Sequence, residues 1–164
     1  MPDIFSAAIR DDLPNVPDEV LHTWLAPHAA RSGLGWPPAA ETPWHQLLMG
    51  RPLSWWQACN WSEERLPMHL DLMASVVRFQ VEQLLKTAMA GRDLMPDSQS
   101  RIDAMETEIA SKGTWPVALV GFPDADGLGL ADGYHRLAAL TRLRRNGEHV
   151  AHDAHRIWVA VTPA

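Results

Sequence analysis

The feature that most constrains this chain is a short apolar run that ends abruptly at Asp132-Gly133 and passes directly into an amphipathic helix. Glycine adopts backbone conformations closed to other residues, and aspartate is a favoured cap for a first helical turn. Tyr134, His135 and Arg136 fall in that turn, where free N–H groups and the positive end of the helix dipole favour an anion. The pattern predicts a phosphate site, and the alternative is a solvated or ion-paired arginine at an ordinary strand–helix junction.

Beyond the turn, the apolar positions have helical spacing and predict one buried face. This face carries Leu137, Ala138, Leu140 and Leu143, while Arg142, Arg144 and Arg145 point mostly outward. Asn146-Gly147 is a typical helix end. Because Arg156 and several histidines follow closely, a local anion-binding surface is compatible with an acidic chain.

The segment from Asp132 to Ala139 resembles the signature of the ParB/sulfiredoxin superfamily, a Gly-x-His-Arg at a strand-to-helix turn followed by a helix of small residues. Leu66–Met73 resembles the first strand of that family, Ser100–Ile109 the helix after it, and Trp115–Val120 the next strand. The resemblance covers roughly residues 65 to 164, with one inserted helix. It implies an α/β (α+β) fold in which a small mixed sheet is flanked by helices.

Members of this superfamily bind nucleotides at the matching turn: ATP in sulfiredoxins, CTP in partition proteins, and ATP or ADP in free serine kinases. The resemblance therefore implies that His135 and Arg136 contact phosphates, with Gly133 and Tyr134 in the same turn. Arg101 matches a lysine that sulfiredoxins place on the nucleotide, although a solvated arginine at a helix start is the alternative. Tyr134 stands where sulfiredoxins have their catalytic cysteine, so sulfinic acid reduction is excluded.

Two carboxylates are candidates for chemistry beside the phosphates. Asp132 is suited to capping the helix or to holding a Mg²⁺ bound to the phosphates. Asp71 lies near the end of the predicted first strand, and serine kinases of the superfamily use an early acidic residue as general base. The resemblance thus implies His135, Asp132 and Asp71 as catalytic residues.

A histidine cluster near the C-terminus has the side chains of a transition-metal site. It comprises His149, His152 and His155, with Asp153 among them. The spacing of three suits a helix face, but the sequence here favours a loop, and no cysteine ligand accompanies it. We therefore predict no protein-bound metal site.

Charge and cysteine content restrict the partners and the compartment. The net charge of −6 argues against broad, non-specific nucleic-acid binding, which depends on an excess of Lys and Arg. Cys59 is the only cysteine, so no intrachain disulfide forms, which suits a reducing cytoplasm. The chain shows no signal peptide and no apolar run near the ~20 residues that span a bilayer, so we expect a soluble cytoplasmic protein without a membrane partner.

Residues 1–64 are predicted to be a helical extension rich in tryptophan, and residues 65–164 the nucleotide-binding domain. Six of the eight tryptophans precede residue 62. We expect a loose lead-in over 1–16 and helices from Pro17, from Thr42 to about Met49, and from Ser54 to about Arg65. The tryptophans form either the core of a small subdomain or a surface that binds a protein partner.

In the second domain, hydrophobic spacing predicts alternating strands and helices. The expected strands are Leu66–Met73, Trp115–Gly121, the run ending at Asp132, and Arg156–Val161. The expected helices are Ala74–Ala90, with Val77, Val81, Leu84, Leu85 and Ala88 inward, and one from Asp97 or Ser98 to Lys112.

Two functions follow, from different classes. The first is a nucleotide-binding enzyme that hydrolyses ATP or another nucleotide, or transfers its phosphoryl group. Plasmid-borne relatives, conjugation inhibitors reported as ATPases and DNases, add DNA cleavage as an accompanying activity. The second is a non-catalytic interaction protein that binds a partner through the tryptophan-rich extension.

Overall fold

The computed structural model describes residues 4–31, 35–37, 48–89 and 98–163. It confirms the predicted fold class, a mixed sheet of four strands with helices. The strands are β1 (Asn60–Leu66), β2 (Leu119–Asp124), β3 (Gly127–Asp132) and β4 (His155–Val161), in the spatial order β1-β4-β2-β3. The chain divides into two compact units, Met1–Glu63 with Trp158–Ala164, and Glu64–Ile157. The proposed domain division at residue 64 stays a prediction.

The first unit begins with a helix where the sequence predicted a loose lead-in. Helix α1 (Ser6–Asp12) buries Ile9, and the residues after it bury Leu13 and Val16, so this expectation was wrong. The apolar residues are spaced at three and four, which places them on one helical face despite the flanking charges. Arg10 bonds to the carbonyl of Val16 and to the carboxylate of Asp18, which ties the loop to the next helix.

The next helical segment begins at Asp18 with Pro17 at the N-cap position, one residue after the predicted start. Helix α2 (Asp18–Val20), one turn of π-helix (Leu21–Leu25) and helix α3 (Ala26–Arg31) follow one another directly. One face of this segment is buried and carries Val20, Leu21, Trp24 and Leu25. The expected helix from Thr42 to Met49 lies mostly outside the described residues.

Tryptophans form much of the core of this unit. Trp24 and Trp56 are each 1% exposed, and their ring centroids lie 5.1 Å apart. The Trp56 indole N–H donates to the Leu48 carbonyl at 3.1 Å, which satisfies its polar atom inside the core. Trp36 is also buried and donates to the Asp12 carboxylate at 2.9 Å.

Between residues 53 and 73 the structure differs from the prediction. Helix α4 (Leu53–Ala58) is short, and β1 replaces the second half of the expected third helix. The strand expected over Leu66–Met73 is absent; Met68 has a φ of +56° and a 3₁₀ turn covers Leu70–Leu72. The alternation of Met68, Leu70 and Leu72 was misleading because Met68 is buried whereas Leu72 is 41% exposed.

The second unit contains three long helices and the β2–β3 hairpin. The helices are α5 (Ser75–Met89), α6 (Ser98–Lys112) and α7 (Tyr134–Arg145), and all three match predicted helices. The predicted inward residues Val77, Val81, Leu84 and Leu85 are buried, as are Ile102 and Ile109 of α6. Ala88 lies among the side chains that are not described, and Asp97 lies outside the described residues.

Strand β2 starts four residues later than predicted, at Leu119, and pairs antiparallel with β3. The hairpin closes between Asp124 and Gly127. Met73 bridges Leu128 in parallel, and the Ala74 N–H donates to the Leu128 carbonyl at 2.9 Å. Asp126 then accepts from the Ser75 N–H at 3.2 Å, so the hairpin turn holds the start of α5. No helix in the described ranges is long and apolar enough to cross a membrane.

Candidate functional site

The turn between β3 and α7 has the geometry that the sequence predicted. Gly133 has φ +109° and ψ +19°, a left-handed conformation that disfavours residues with a side chain. A Cβ at this position would lie 2.3 Å from the Cγ of Leu119. The Leu137 N–H then donates to the Gly133 carbonyl at 2.9 Å, which begins the helix. Both backbone conformation and packing therefore require glycine here.

The expected cap from Asp132 was wrong. No side chain in the described residues caps α7, since Gly133 occupies the N-cap position and has none to offer. The Asp132 carboxylate instead accepts from Nη2 of Arg136 at 2.8 Å. As a consequence, no side chain among the described residues takes up the N–H groups of Tyr134 and His135, which can donate to water or to an anion.

Arg136 is held by the protein itself. Its Nη1 donates to the carbonyls of Val117 at 2.5 Å and Ala118 at 3.2 Å, in addition to the bond to Asp132. Only 13% of its side chain is exposed. The arginine therefore fastens the segment before β2 to the first turn of α7. Its predicted contact with phosphate stays a prediction, because these bonds already engage both terminal nitrogens.

A hydrogen bond joins the starts of two long helices. The Ser98 hydroxyl, on the first residue of α6, lies 3.1 Å from Nε2 of His135, on the second residue of α7. Ser98 is 1% exposed and His135 is half-buried. Because each helix N-terminus carries a partial positive charge, their meeting concentrates positive potential at one place.

The charges and protonation states at this junction also favour an anion. Burial, together with the positive charge of Arg101, lowers the pKa of His135 to about 4, so the ring is neutral near pH 7. Arg101 is exposed, one turn into α6, and forms no ion pair with the described residues. Burial raises the pKa of Tyr134 to about 12, which keeps its phenol neutral. An exposed guanidinium, neutral donors and helix N-termini are groups that interact favourably with phosphate.

The three arginines at the other end of α7 are not the anion-binding surface that the sequence suggested. Arg142 pairs with Asp103 at 2.5 Å and also with Glu106, while Arg145 pairs with Glu82. Arg144 donates to the carbonyl of Pro67 at 2.6 Å. These residues connect α7 to α6, to α5 and to the segment after β1, because acids and carbonyls of neighbouring elements face them.

Asp71 is placed away from the His135 turn. It is exposed in the 3₁₀ turn, two residues before Met73, which pairs with Leu128 near the start of β3. Gly133 follows the opposite end of that strand, about 15 Å away at ~3.3 Å per residue. The structure thus brings Ser98, Arg101, Tyr134 and His135 together, and does not bring Asp71 to them. Its role as general base stays a prediction without geometric support.

The three histidines near the C-terminus differ in exposure: one is buried and two are exposed. His155 is fully buried, its Nδ1 lies 2.6 Å from the Thr114 hydroxyl, and its Nε2 has no partner among the described residues. His149 and His152 are exposed. In the described ranges, no group of three or more His, Cys, Asp or Glu side chains is placed to hold a metal ion.

Acidification is expected to destabilise the protein through His155. Burial lowers the pKa of this ring to about 4, with help from the positive charges of Arg144 and His152, whereas an unfolded histidine has a pKa near 6.5. Between these values the unfolded chain binds the proton and the folded chain does not. The stabilisation is complete above pH 6.5 and is lost as the pH falls toward 4, on the order of 3 kcal/mol in total.

Urea unfolding at pH 7, 6, 5 and 4.5 measures the slope of the free energy of unfolding against pH. In the variant His155→Gln the slope should become clearly shallower, because the titrating group is gone. The matched control is His149→Gln, an exposed histidine that should leave the slope unchanged. An equal slope in wild type and His155→Gln would refute the assignment.

The comparisons with known proteins give no neighbour. The chain matches no protein-family model, no curated protein and no solved structure. The ParB/sulfiredoxin resemblance therefore stays a prediction from the sequence.

Ser98 was not predicted as a site residue. Ser98 was predicted only as one of two candidate starts of α6, and its partner lies 37 residues later in the chain. A serine at a helix start is an ordinary capping signal, and nothing local indicates that two helix starts meet.

Proposed function

We propose that this protein binds the phosphate groups of a nucleotide where the N-termini of α6 and α7 meet. The observation that supports it is the 3.1 Å contact between Ser98 and His135, with Arg101 one turn away. The ligand's phosphate oxygens would accept from the backbone N–H groups of Tyr134 and His135 and from the Arg101 guanidinium. Tyr134 and His135 would serve as neutral donors beside the charge.

Hydrolysis or phosphoryl transfer is the activity that the ParB/sulfiredoxin resemblance adds to this site. Such reactions depend mainly on positioning and charge stabilisation, which helix N-termini and Arg101 would supply. A protein-held Mg²⁺ does not fit the residues present, because Asp132 is paired with Arg136. ATP or another nucleotide, with or without its own Mg²⁺, therefore remains the proposed ligand. A reducing cytoplasm, suited to the buried free thiol of Cys59, is the proposed compartment.

The alternative, a protein-binding surface made of tryptophans, is less well supported. Trp24, Trp36 and Trp56 are buried and participate in the core of the first unit. Trp55 and Trp61 are half-buried, and Arg51 lies over the Trp55 ring at 4.7 Å. The role as core residues accounts for these contacts without a partner, and DNA as a ligand has no supporting observation in the described residues.

Calorimetric titration with ATP, ADP, CTP, GTP and inorganic phosphate, each with and without Mg²⁺, tests the proposal. We expect binding by the wild type, and Arg101→Ala should raise Kd by about five- to tenfold, roughly 1 kcal/mol for a screened, charge-assisted contact. Arg78→Ala is the matched control, because it removes an equal charge from α5, near Asp126 at the hairpin turn. Absence of binding, or equal losses in both variants, would contradict the proposal. Phosphate release in the same samples separates an enzyme from a binding protein.

A further inference from the structure

The contact with Ser98 engages one of the two ring nitrogens of His135 and leaves the other available. Among the described residues, the Ser98 hydroxyl is the one hydrogen-bond partner of the His135 ring, and it lies at Nε2. The remaining ring nitrogen, Nδ1, is left for another group. Ser98 is 1% exposed, so water has little access to compete for its hydroxyl.

A neutral imidazole carries one N–H and one lone pair, and the two nitrogens exchange these roles between tautomers. If the Ser98 hydroxyl donates to Nε2, then Nδ1 carries the hydrogen and presents a donor. In the opposite tautomer Nε2 donates to Ser98, and Nδ1 presents a lone pair. A lone pair repels a phosphate oxygen, whereas an N–H binds it, so only the first tautomer suits an anion.

We propose that Ser98 is a positioning residue that donates its hydroxyl hydrogen to Nε2 of His135 and thereby holds the ring in the tautomer whose Nδ1–H donates to a phosphate oxygen. This inference rests on the proposed function for its ligand, but the tautomer itself is a property of the free protein. The lowered pKa of His135 is consistent with it, since only a neutral ring has a tautomer to be selected. When the Ser98 hydroxyl donates to Nε2, the hydrogen at Nδ1 faces the ligand, so this bond and the bond from Nδ1–H to a phosphate oxygen favour the same tautomer.

The first test is the nitrogen chemical shifts of His135 in the full-length protein labelled with ¹⁵N-histidine at pH 7. We expect the wild type to show the Nδ1–H tautomer, although free imidazole side chains in water prefer Nε2–H. Ser98→Ala should move His135 toward Nε2–H, and Ser111→Ala, at the exposed far end of α6, should leave it unchanged. An Nε2–H ring in the wild type would overturn the proposal, and this measurement requires no variant to fold.

The second test is calorimetric titration with ATP and with inorganic phosphate. Ser98→Ala should weaken binding about tenfold, the size of one lost charge-assisted hydrogen bond. His135→Asn places an amide N–H close to the position of Nδ1 and should retain most of the affinity, whereas His135→Gln places it near Nε2 and should not. The reverse order for Asn and Gln would overturn the proposal. A wild type with the Nδ1–H tautomer but without binding would refute the proposed function and uphold the effect of Ser98 on the ring.

Discussion

Replacing Gly133 with alanine is expected to lower the free energy of unfolding by about 2–5 kcal/mol. A residue with a side chain loses roughly 1–2 kcal/mol at positive φ, and forcing an extra methyl into a packed site costs about 1–3 kcal/mol more. Both terms apply, because φ is +109° and the new Cβ would lie 2.3 Å from Leu119. Urea unfolding of both proteins measures the difference.

The matched control separates strain from overpacking. Gly147 also has a positive φ, +73°, but a Cβ there would meet no heavy atom within 4 Å. Gly147→Ala should therefore lose only the conformational term, roughly 1–2 kcal/mol. If the two variants were equally stable, that result would contradict the close packing of Gly133 against Leu119.

Replacing Arg136 with alanine is expected to lower the free energy of unfolding by about 2–4 kcal/mol. The substitution leaves the Asp132 carboxylate without its partner and removes the donors to the Val117 and Ala118 carbonyls. Mostly buried, charge-assisted bonds of this kind are worth more than exposed ion pairs.

Arg101→Ala is the natural control for this arginine. It removes an equal charge from the same region, but the side chain is exposed, so stability should change by no more than about 0.5 kcal/mol. Thermal and urea unfolding of the two variants should thus separate a structural arginine from a ligand-binding one. An Arg136→Ala protein with wild-type stability would show that the bonds to the two carbonyls contribute nothing.

The parts of the fold that were predicted correctly are those with strong local signals. Helices α5, α6 and α7 have apolar residues at helical spacing, and Gly133 stands between an apolar strand and one of these helices. In each case neighbouring residues specify the structure, so the sequence was sufficient.

The parts that were missed depend on contacts distant in sequence. Strand β1 is polar and exposed on both faces, so it shows no alternation. Met68 is buried at a positive φ inside a segment that had seemed to alternate. Likewise, the motif contains an arginine at position 136 but does not show that carbonyls before β2 face it. The meeting of Ser98 with His135 is equally invisible, because it depends on how α6 and α7 pack.

The most direct measurement of the central claim is backbone amide NMR of the ¹⁵N-labelled protein during titration with ATP. Binding at the junction predicts that the largest shifts occur in two stretches, Ser98–Arg101 and Tyr134–Leu137. The arginines at the far end of α7, from Arg142 onward, should move little, because their guanidinium groups are held by acids and carbonyls. Shifts concentrated at those arginines or among the tryptophans of the first unit, or no shifts at all, would contradict the claim.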